Sequence, residues 1–304
     1  MTAQRLRIGV DLGGTKTEAM ALDPSGETLL RRRIRTPASD YAAIVKEIAA
    51  LVRSIEVEIG EEARVGVGVP GSISPASGCI RNSNTLVLSR RPLAEDLGRA
   101  LGREARIEND ANCFTLSEAT DGAGEGRAIV FGVILGTGVG GGLMVHGRLL
   151  RGANALAGEW GHNPLPRMRS DEYPGPPCYC GRNGCVETYL CGGALAEDYG
   201  RRSGEKITAQ EVARRADGGD PLAQGAIDAY RDRLARALAS VVNVVDPDVI
   251  VLGGGVSNID RVYQELERLV GDYAFTDALA TPIVKNRHGD SSGVRGAAWL
   301  WDSD

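Results

Sequence analysis

The sequence predicts an α/β fold in two halves, and three observations carry that reading. Short apolar or alternating runs closed by Gly, Pro or Asp have the form of strands. An apolar 4-3-4 spacing between two of them has the form of a helix, and a strand that runs straight into glycines occurs near the N-terminus and again near the middle of the chain. Strands followed by helices suggest an α/β architecture, and 304 residues are enough for two domains of ordinary size with a substantial core.

In chain order, LRIGV (6–10), ETLLRRRI (27–34) and ARVGVGV (63–69) read as the first strands. Between the last two, Ile44, Ile48, Leu51 and Ile55 form one apolar stripe, with Ser39 or Asp40 available to cap the helix start. The chain starts over at RAIVFGVILGTGVGGG (127–142), a long β-branched strand followed by glycines. Further on, Leu234, Leu238, Val241 and Val245 share a helix face that Pro247 terminates, residues 249–252 form a buried strand, and Gly253, Gly254 and Gly255 form a tight turn. SSGVRGAAWLW (291–301) reads as a capped C-terminal helix. No low-complexity linker is present; DGAGEG (121–126) is the best boundary, and a cleft between the halves is expected.

Composition excludes several classes of function. Six cysteines are sparse for this length, and no apolar N-terminal segment with a small-residue cleavage site precedes the first strand, so a cytoplasmic protein with reduced thiols is expected. No run of eighteen apolar residues marks a membrane span, and a formal charge of −5 argues against a nucleic-acid surface. The one basic run, RRRIR (31–35), reads as the solvated face of a strand.

Two glycine-rich turns and a carboxylate carry the chemistry. DLGGTKT (11–17) and LGTGVGGG (135–142) each end a strand, where glycine lets the backbone approach a ligand and aim N–H groups at an anion. Thr15, Thr17 and Thr137 add hydroxyl donors, and a phosphate is the natural guest. Neither turn has the spacing of the common nucleotide motifs, and a single such turn is as well explained by a hairpin or a bulge. In ENDANC (108–113), Asn109 and Asp110 stand at a helix start, as a cap, or as a general base that takes a proton from a hydroxyl while a phosphoryl group arrives in line. Those two roles are compatible.

With VGVGVPGSIS, ENDANCFTLSEA, GEWGH, CYCGRNGCVE and VIVLGGGVSN, these motifs occur in the order found in the ROK family of bacterial sugar kinases and repressors, which nearly the whole chain resembles. The resemblance implies a two-domain fold like that of actin and hexokinase (ribonuclease H-like), with an interdomain cleft closing over ATP and a sugar. The division it suggests is 1–122 plus 289–304 for a small domain completed by the C-terminal helix, and 123–288 for a large one. It places Asp11, Gly13, Gly14, Thr15, Lys16 and Thr17 at the nucleotide phosphates from one domain and Gly136, Thr137, Gly138 and Gly140 from the other. Gly253, Gly254 and Gly255 would lie against adenosine, and Asp110 matches the catalytic base. A homodimer is also implied.

The cluster CYCGRNGC (178–185) holds three cysteines in eight residues. With His162 it reads H-x15-C-x-C-x4-C, one imidazole and three thiolates, enough to close a tetrahedral structural zinc site with no open position. A disulfide and unpaired buried thiols are the alternatives. Cys79, Cys113 and Cys191 read as small hydrophobes, and His146 and His288 are given no chemistry. Glu159 and Glu187 flank the zinc ligands, and by default they are solvated or support the ligands. The resemblance makes both of them sugar-hydroxyl acceptors, with His162 facing zinc through one ring nitrogen and the sugar through the other, and with Asn84, Asn109 and Asp110 completing the polar ring.

The expected activity is ATP- and Mg²⁺-dependent phosphorylation of a hexose 6-hydroxyl, with Asp110 as base and closure excluding water. PGSISPASG, GEWGHNPLP, PCYCG and HGDSSGVRGAAWLW look most like the family's fructokinases that also accept mannose; NDANCFTLSEA and ILGTGVGGGL look equally like its N-acetylglucosamine kinases, and glucokinase is the other alternative. The family's repressors carry a helix-turn-helix domain before the first strand, for which residues 1–7 leave no room. A non-catalytic sugar sensor would not need Asp110 and both phosphate turns.

Overall fold

The structure, a computed structural model, describes residues 6–83 and 85–302. Two compact units divide it: one contains the chain up to Gly126, Gly142–Ala157 and the residues from Asp290 on, the other Arg127–Gly141 and Gly158–Gly289.

The first unit opens with β1 (Arg7–Leu12), β2 (Lys16–Leu22) and β3 (Thr28–Arg35), followed by α1 (Tyr41–Ile59) and β4 (Arg64–Val69). The short pair β5 (Ser72–Ile73) and β6 (Ile80–Arg81), α2 (Leu93–Leu101), β7 (Ala105–Asn109) and α3 (Asp110–Asp121) come next. Its sheet has the order β3-β2-β1-β4-β7, antiparallel on the β3 side and parallel from β1 through β4 to β7. Strand β2 is an addition to the sequence-based reading: residues 13–16 are the tip of a β1–β2 hairpin, closed by the Gly13 N–H donating to the Lys16 carbonyl at 3.0 Å. Ile44, Ile48, Leu51 and Ile55 are all buried, and Asp40 rather than Ser39 caps α1, its side chain accepting the Ala43 N–H. The basic strand is paired rather than simply solvated: Arg31 and Arg33 both meet the buried Glu18 carboxylate, and Arg32 meets Glu58.

The second unit begins with β8 (Ile129–Leu135) and the start of β9 (Val139–Val145), which ends in a hairpin with β10 (Arg148–Leu149). After the cysteine segment come α4 (Glu187–Leu190), α5 (Gly192–Ser203), α6 (Ala209–Asp217) and α7 (Pro221–Val245), then β11 (Val249–Gly253), α8 (Leu266–Tyr273) and β12 (Ile283–Lys285). The sheet order is β10-β9-β8-β11-β12, with β11 parallel to both β8 and β12. Helix α7 ends at Val245, two residues before Pro247, its C-cap Asp246 being left-handed at φ 49°.

The units differ from the division expected from sequence chiefly in Gly142–Ala157. That segment belongs with the first unit because Gly142 lies tight on α3, where a Cβ would stand 2.9 Å from the Ala111 carbonyl, and because Arg151 pairs with Glu108 at 2.6 Å.

The last helix, α9 (Ser292–Trp299), completes the first unit. Its seat depends on glycines within strands: a Cβ on Gly9 or Gly66 would overlap the Val294 or Ala297 carbonyl, and one on Gly296 would overlap the Cys113 carbonyl. Here glycine serves close backbone approach. The expected cap is absent, since Ser291 makes no side-chain cap hydrogen bond; the Ser292 hydroxyl donates instead to buried Glu118 at 2.7 Å. Among the described residues, no helix is long and apolar enough to cross a membrane.

Candidate functional site

In the first unit, the hairpin tip presents Gly14, Thr15 and Lys16 to solvent, with Gly13 half-exposed. Thr17 points the other way. Its hydroxyl lies 2.8 Å from that of Thr36, which donates to the Gly13 carbonyl at 2.8 Å, so Thr17 braces the turn and does not offer a donor at its surface. Strand alternation decides this: Lys16 faces out, so Thr17 faces in. Asp11, at the end of β1, has its pKa pushed up to about 6, by burial first and by the nearby charge of Glu18 second, against the opposing pull of Lys16. Its carboxylate lies against the first turn of α9, where a Cβ on Gly293 would be 3.7 Å away. A buried carboxylate reluctant to ionise alone is suited to meet a cation.

Asn109 and Asp110 divide the labour that the sequence left joined. Asn109 is the cap of α3: its Oδ1 accepts the Ala111 and Asn112 N–H groups at 2.9 and 3.2 Å, and its Nδ2 donates to the Gly71 carbonyl and to Asp110 Oδ1, both at 3.0 Å. Asp110, the first helical residue, also accepts the Ala111 N–H through Oδ1 at 2.9 Å. N–H donors at a helix N-terminus hold the carboxylate in place as a hydrogen-bond acceptor. Behind them, buried Glu108 accepts from the Asn109 N–H at 2.9 Å and from Asn112 at 3.0 Å, fixing the strand-to-helix corner. Asn84 lies outside the described residues.

In the second unit, the turn between β8 and β9 closes through the Gly136 N–H donating to the Gly138 carbonyl at 3.0 Å. Thr137 is exposed at its tip. Its glycines answer partly to the protein itself: Gly138 faces Glu187, whose Oε2 accepts the Val139 N–H at 3.0 Å, and Gly141 faces Trp160, whose indole donates to the Gly140 carbonyl at 3.0 Å. The turn at Gly253, Gly254 and Gly255 is its neighbour. Gly254, at φ 83°, leaves a Cβ only 2.5 Å from the Leu135 carbonyl, so both turns rise from adjoining strand ends.

His162, Cys178, Cys180 and Cys185 converge, their ligand atoms all lying within 4.8 Å of one another. Two chain segments are zipped to make this possible: the Leu165 N–H donates to the Gly184 carbonyl at 2.8 Å and the Val186 N–H to the Asn163 carbonyl at 2.9 Å, while Gly181, at φ 85°, turns the chain between the cysteines. Cys178 Sγ lies 3.6 Å from His162 Nδ1, and Cys180 and Cys185 are 3.6 Å apart and unbonded. A tetrahedral zinc with Zn–S about 2.3 Å and Zn–N about 2.0 Å separates its ligand atoms by about 3.5–3.8 Å, so spacing and donor chemistry both fit.

Tyr179, between two of the cysteines, went unread in the sequence because a tyrosine in a cysteine loop has no motif of its own. Its hydroxyl lies 2.9 Å from His162 Nε2 and its ring meets the imidazole edge-on, the centroids 5.1 Å apart. Nδ1 is turned to the cysteines; a metal bound there would leave Nε2 the ring proton to donate to Tyr179, fixing the imidazole as ligand partners commonly do. Partial burial, then the charges of Glu187 and Glu159, push the Tyr179 pKa up to about 12, which places both carboxylates in the neighbourhood of this phenol. Tyr179 thus lies against the imidazole, while Glu187 reaches the same cluster through Oε1, 3.9 Å from Cys178 Sγ.

Residues 7–304 match the ROK family. The chain is 40% identical over 296 residues to the N-acetyl-D-glucosamine kinase of Vibrio cholerae, with 96% of this chain and 98% of that one covered. It is 38% identical to the same-named enzyme of Pectobacterium carotovorum over 296 residues, 96% and 97% being covered. Among solved structures it is similar to the ROK hexokinase from Thermus thermophilus, with a TM-score of 0.85, 32% identity and 96% of each chain covered. It is also similar to a ROK family glucokinase from Streptomyces griseus in complex with glucose and AMPPNP, with a TM-score of 0.80, 27% identity and 97% and 98% covered. The α/β architecture is the actin- and hexokinase-like one of these proteins, and the chain belongs to the ROK family.

Proposed function

We propose that this chain is an ATP-dependent hexose kinase that phosphorylates the 6-hydroxyl of N-acetyl-D-glucosamine. The substrate rests on relatives: curated proteins 38–40% identical over nearly the whole chain are N-acetyl-D-glucosamine kinases, which moves that sugar ahead of the fructose expected from the sequence. The observation that carries the chemistry is the placement of Asp110, an acceptor held at the first turn of α3 by the Asn109 amide and the Ala111 N–H.

In this reading the sugar oxygen attacks the γ-phosphorus, its proton passes to Asp110, and the bond to the β,γ-bridging oxygen breaks to release ADP. N–H groups of the 13–16 and 136–138 turns face the phosphates, with Lys16, Thr15 and Thr137 beside them, and Gly253, Gly254 and Gly255 lie against adenosine. Mg²⁺ arriving with ATP would neutralise phosphate charge, with Asp11 as the carboxylate facing it. Glu159 and Glu187 bind sugar hydroxyls, with Asn109 holding Asp110 beside them, so that an analogue lacking a hydroxyl leaves a polar group unpaired. Zinc on His162, Cys178, Cys180 and Cys185 would be structural, a closed four-ligand site that anchors the loop bearing Glu187.

Asp110→Asn tests this reading. It should keep sugar binding by calorimetry while turnover falls roughly 10²- to 10⁴-fold, the loss of general-base help; unchanged turnover would remove Asp110 from the mechanism.

A further inference from the structure

We propose that residues 185–192 couple the metal clip to the phosphate-facing turn, with Glu187 as the positioning residue, so that the metal supports nucleotide binding as well as the sugar side. The inference rests on the nucleotide and zinc assignments made above.

The segment leaves the clip at Cys185 and holds the turn at two points. Glu187 Oε2 accepts the Val139 N–H at 3.0 Å, at the end of the turn where β9 begins. The Gly192 N–H donates to the Gly136 carbonyl at 2.8 Å, at the other end. Between these points there is little slack. The Thr188 hydroxyl donates to the Cys185 carbonyl at 2.8 Å, the Cys191 N–H to the Glu187 carbonyl at 3.1 Å, and the buried Tyr230 hydroxyl to the Leu190 carbonyl at 2.7 Å.

The fit at the turn is close. A Cβ on Gly138 would stand 2.6 Å from Glu187 Oε2, so glycine at 138 makes room for this carboxylate in addition to any ligand. The second oxygen, Oε1, lies 3.9 Å from Cys178 Sγ and so faces the ligand cluster. One carboxylate thus spans the space from a metal ligand to the backbone of the turn. Releasing the metal frees Cys185, and with it the footing of Glu187.

Glu187→Ala and Glu187→Gln separate this role from sugar binding, because glutamine keeps one oxygen to accept the Val139 N–H while losing the charge. Metal-loaded wild type and both variants are titrated with Mg·AMPPNP in the absence of sugar, and backbone hydrogen exchange is followed over residues 136–141. Glu187→Ala should weaken AMPPNP roughly tenfold or more, the loss of a hydrogen bond to a charged group, and speed exchange at Val139. Glu187→Gln should stay within about threefold of wild type for AMPPNP with Val139 protected, while its sugar KM rises. Chelator-stripped wild type should reproduce the exchange pattern of the alanine variant although Glu187 is intact. AMPPNP affinity and Val139 protection unchanged in Glu187→Ala, or full protection of the turn after stripping, would overturn the coupling. Failure of wild type to bind AMPPNP would instead sink the kinase reading, while the exchange measurements would still judge the coupling.

Discussion

Asp11 shows how a single buried group sets a pH dependence. Its raised pKa, about 6, means that the folded protein keeps a proton there which the unfolded chain gives up near pH 4. The stability it contributes is fully present below about pH 4 and is lost as pH rises through 6. A cation has to displace that proton. Affinity for Mg·AMPPNP, measured by calorimetry between pH 5 and 8, should therefore fall by up to about tenfold per unit below pH 6, relative to Asp11→Asn measured in parallel. Identical slopes for the two proteins would detach Asp11 from the metal. Tyr179→Phe removes the hydroxyl partner of His162 Nε2 and should lower zinc affinity about 10- to 100-fold in a chelator competition. Residues of this kind were unequally legible. The four candidate metal ligands announce themselves through residue type and spacing, Asp110 through its place at a helix start and Asp11 through the family resemblance, whereas the partners of Thr17 and Tyr179 depend on which way a strand or loop turns.

At the scale of elements, two attachments hold the site's supports. The loop before the cysteines is tied to α7 by Glu172, 7% exposed, which accepts from Arg236 Nη2 at 2.7 Å and from Arg233 Nε at 2.8 Å. Burial alone would raise the Glu172 pKa, but hydrogen bonds from Arg236, the Arg169 N–H and Arg233 prevail and hold it at about 2. Glu172→Ala removes the carboxylate that Arg233 and Arg236 share, Arg236 keeping Asp232 at 3.0 Å, and should cost about 1.5–3 kcal/mol in denaturant unfolding, the loss of hydrogen bonds to a charged group. The pair's contribution should persist above about pH 4.5 and decline as pH falls toward 2; a variant within 1 kcal/mol of wild type would contradict this. The other attachment is the seat of α9, where Gly296→Ala should prevent the helix from docking on Cys113 and leave little folded protein by circular dichroism. Helix α1 was legible from its apolar stripe because burial imposes that period. Strand β2 is hidden because its turn resembles a ligand loop, and the glycines of β1 and β4 carry no mark in the sequence of the space that α9 needs.

The whole molecule joins two α/β units whose glycine turns, helix-start carboxylate and cysteine clip follow one another in the order of the ROK family. That order makes the fold class and the phosphoryl chemistry legible in the sequence. The sugar was not readable, because hexoses share the polar groups that Glu159 and Glu187 would meet, and discrimination lies in pocket shape. Relatives 38–40% identical are N-acetyl-D-glucosamine kinases, which sets aside the fructose expected from the motif combination. The direct measurement is kcat/KM for ADP release with Mg·ATP over N-acetyl-D-glucosamine, fructose, mannose and glucose, with the zinc-loaded protein. The expected result is highest kcat/KM for N-acetyl-D-glucosamine by at least about tenfold, a margin of about 1.4 kcal/mol in transition-state binding. Preference for fructose would overturn the substrate, and no ADP with any of the four would overturn the kinase itself.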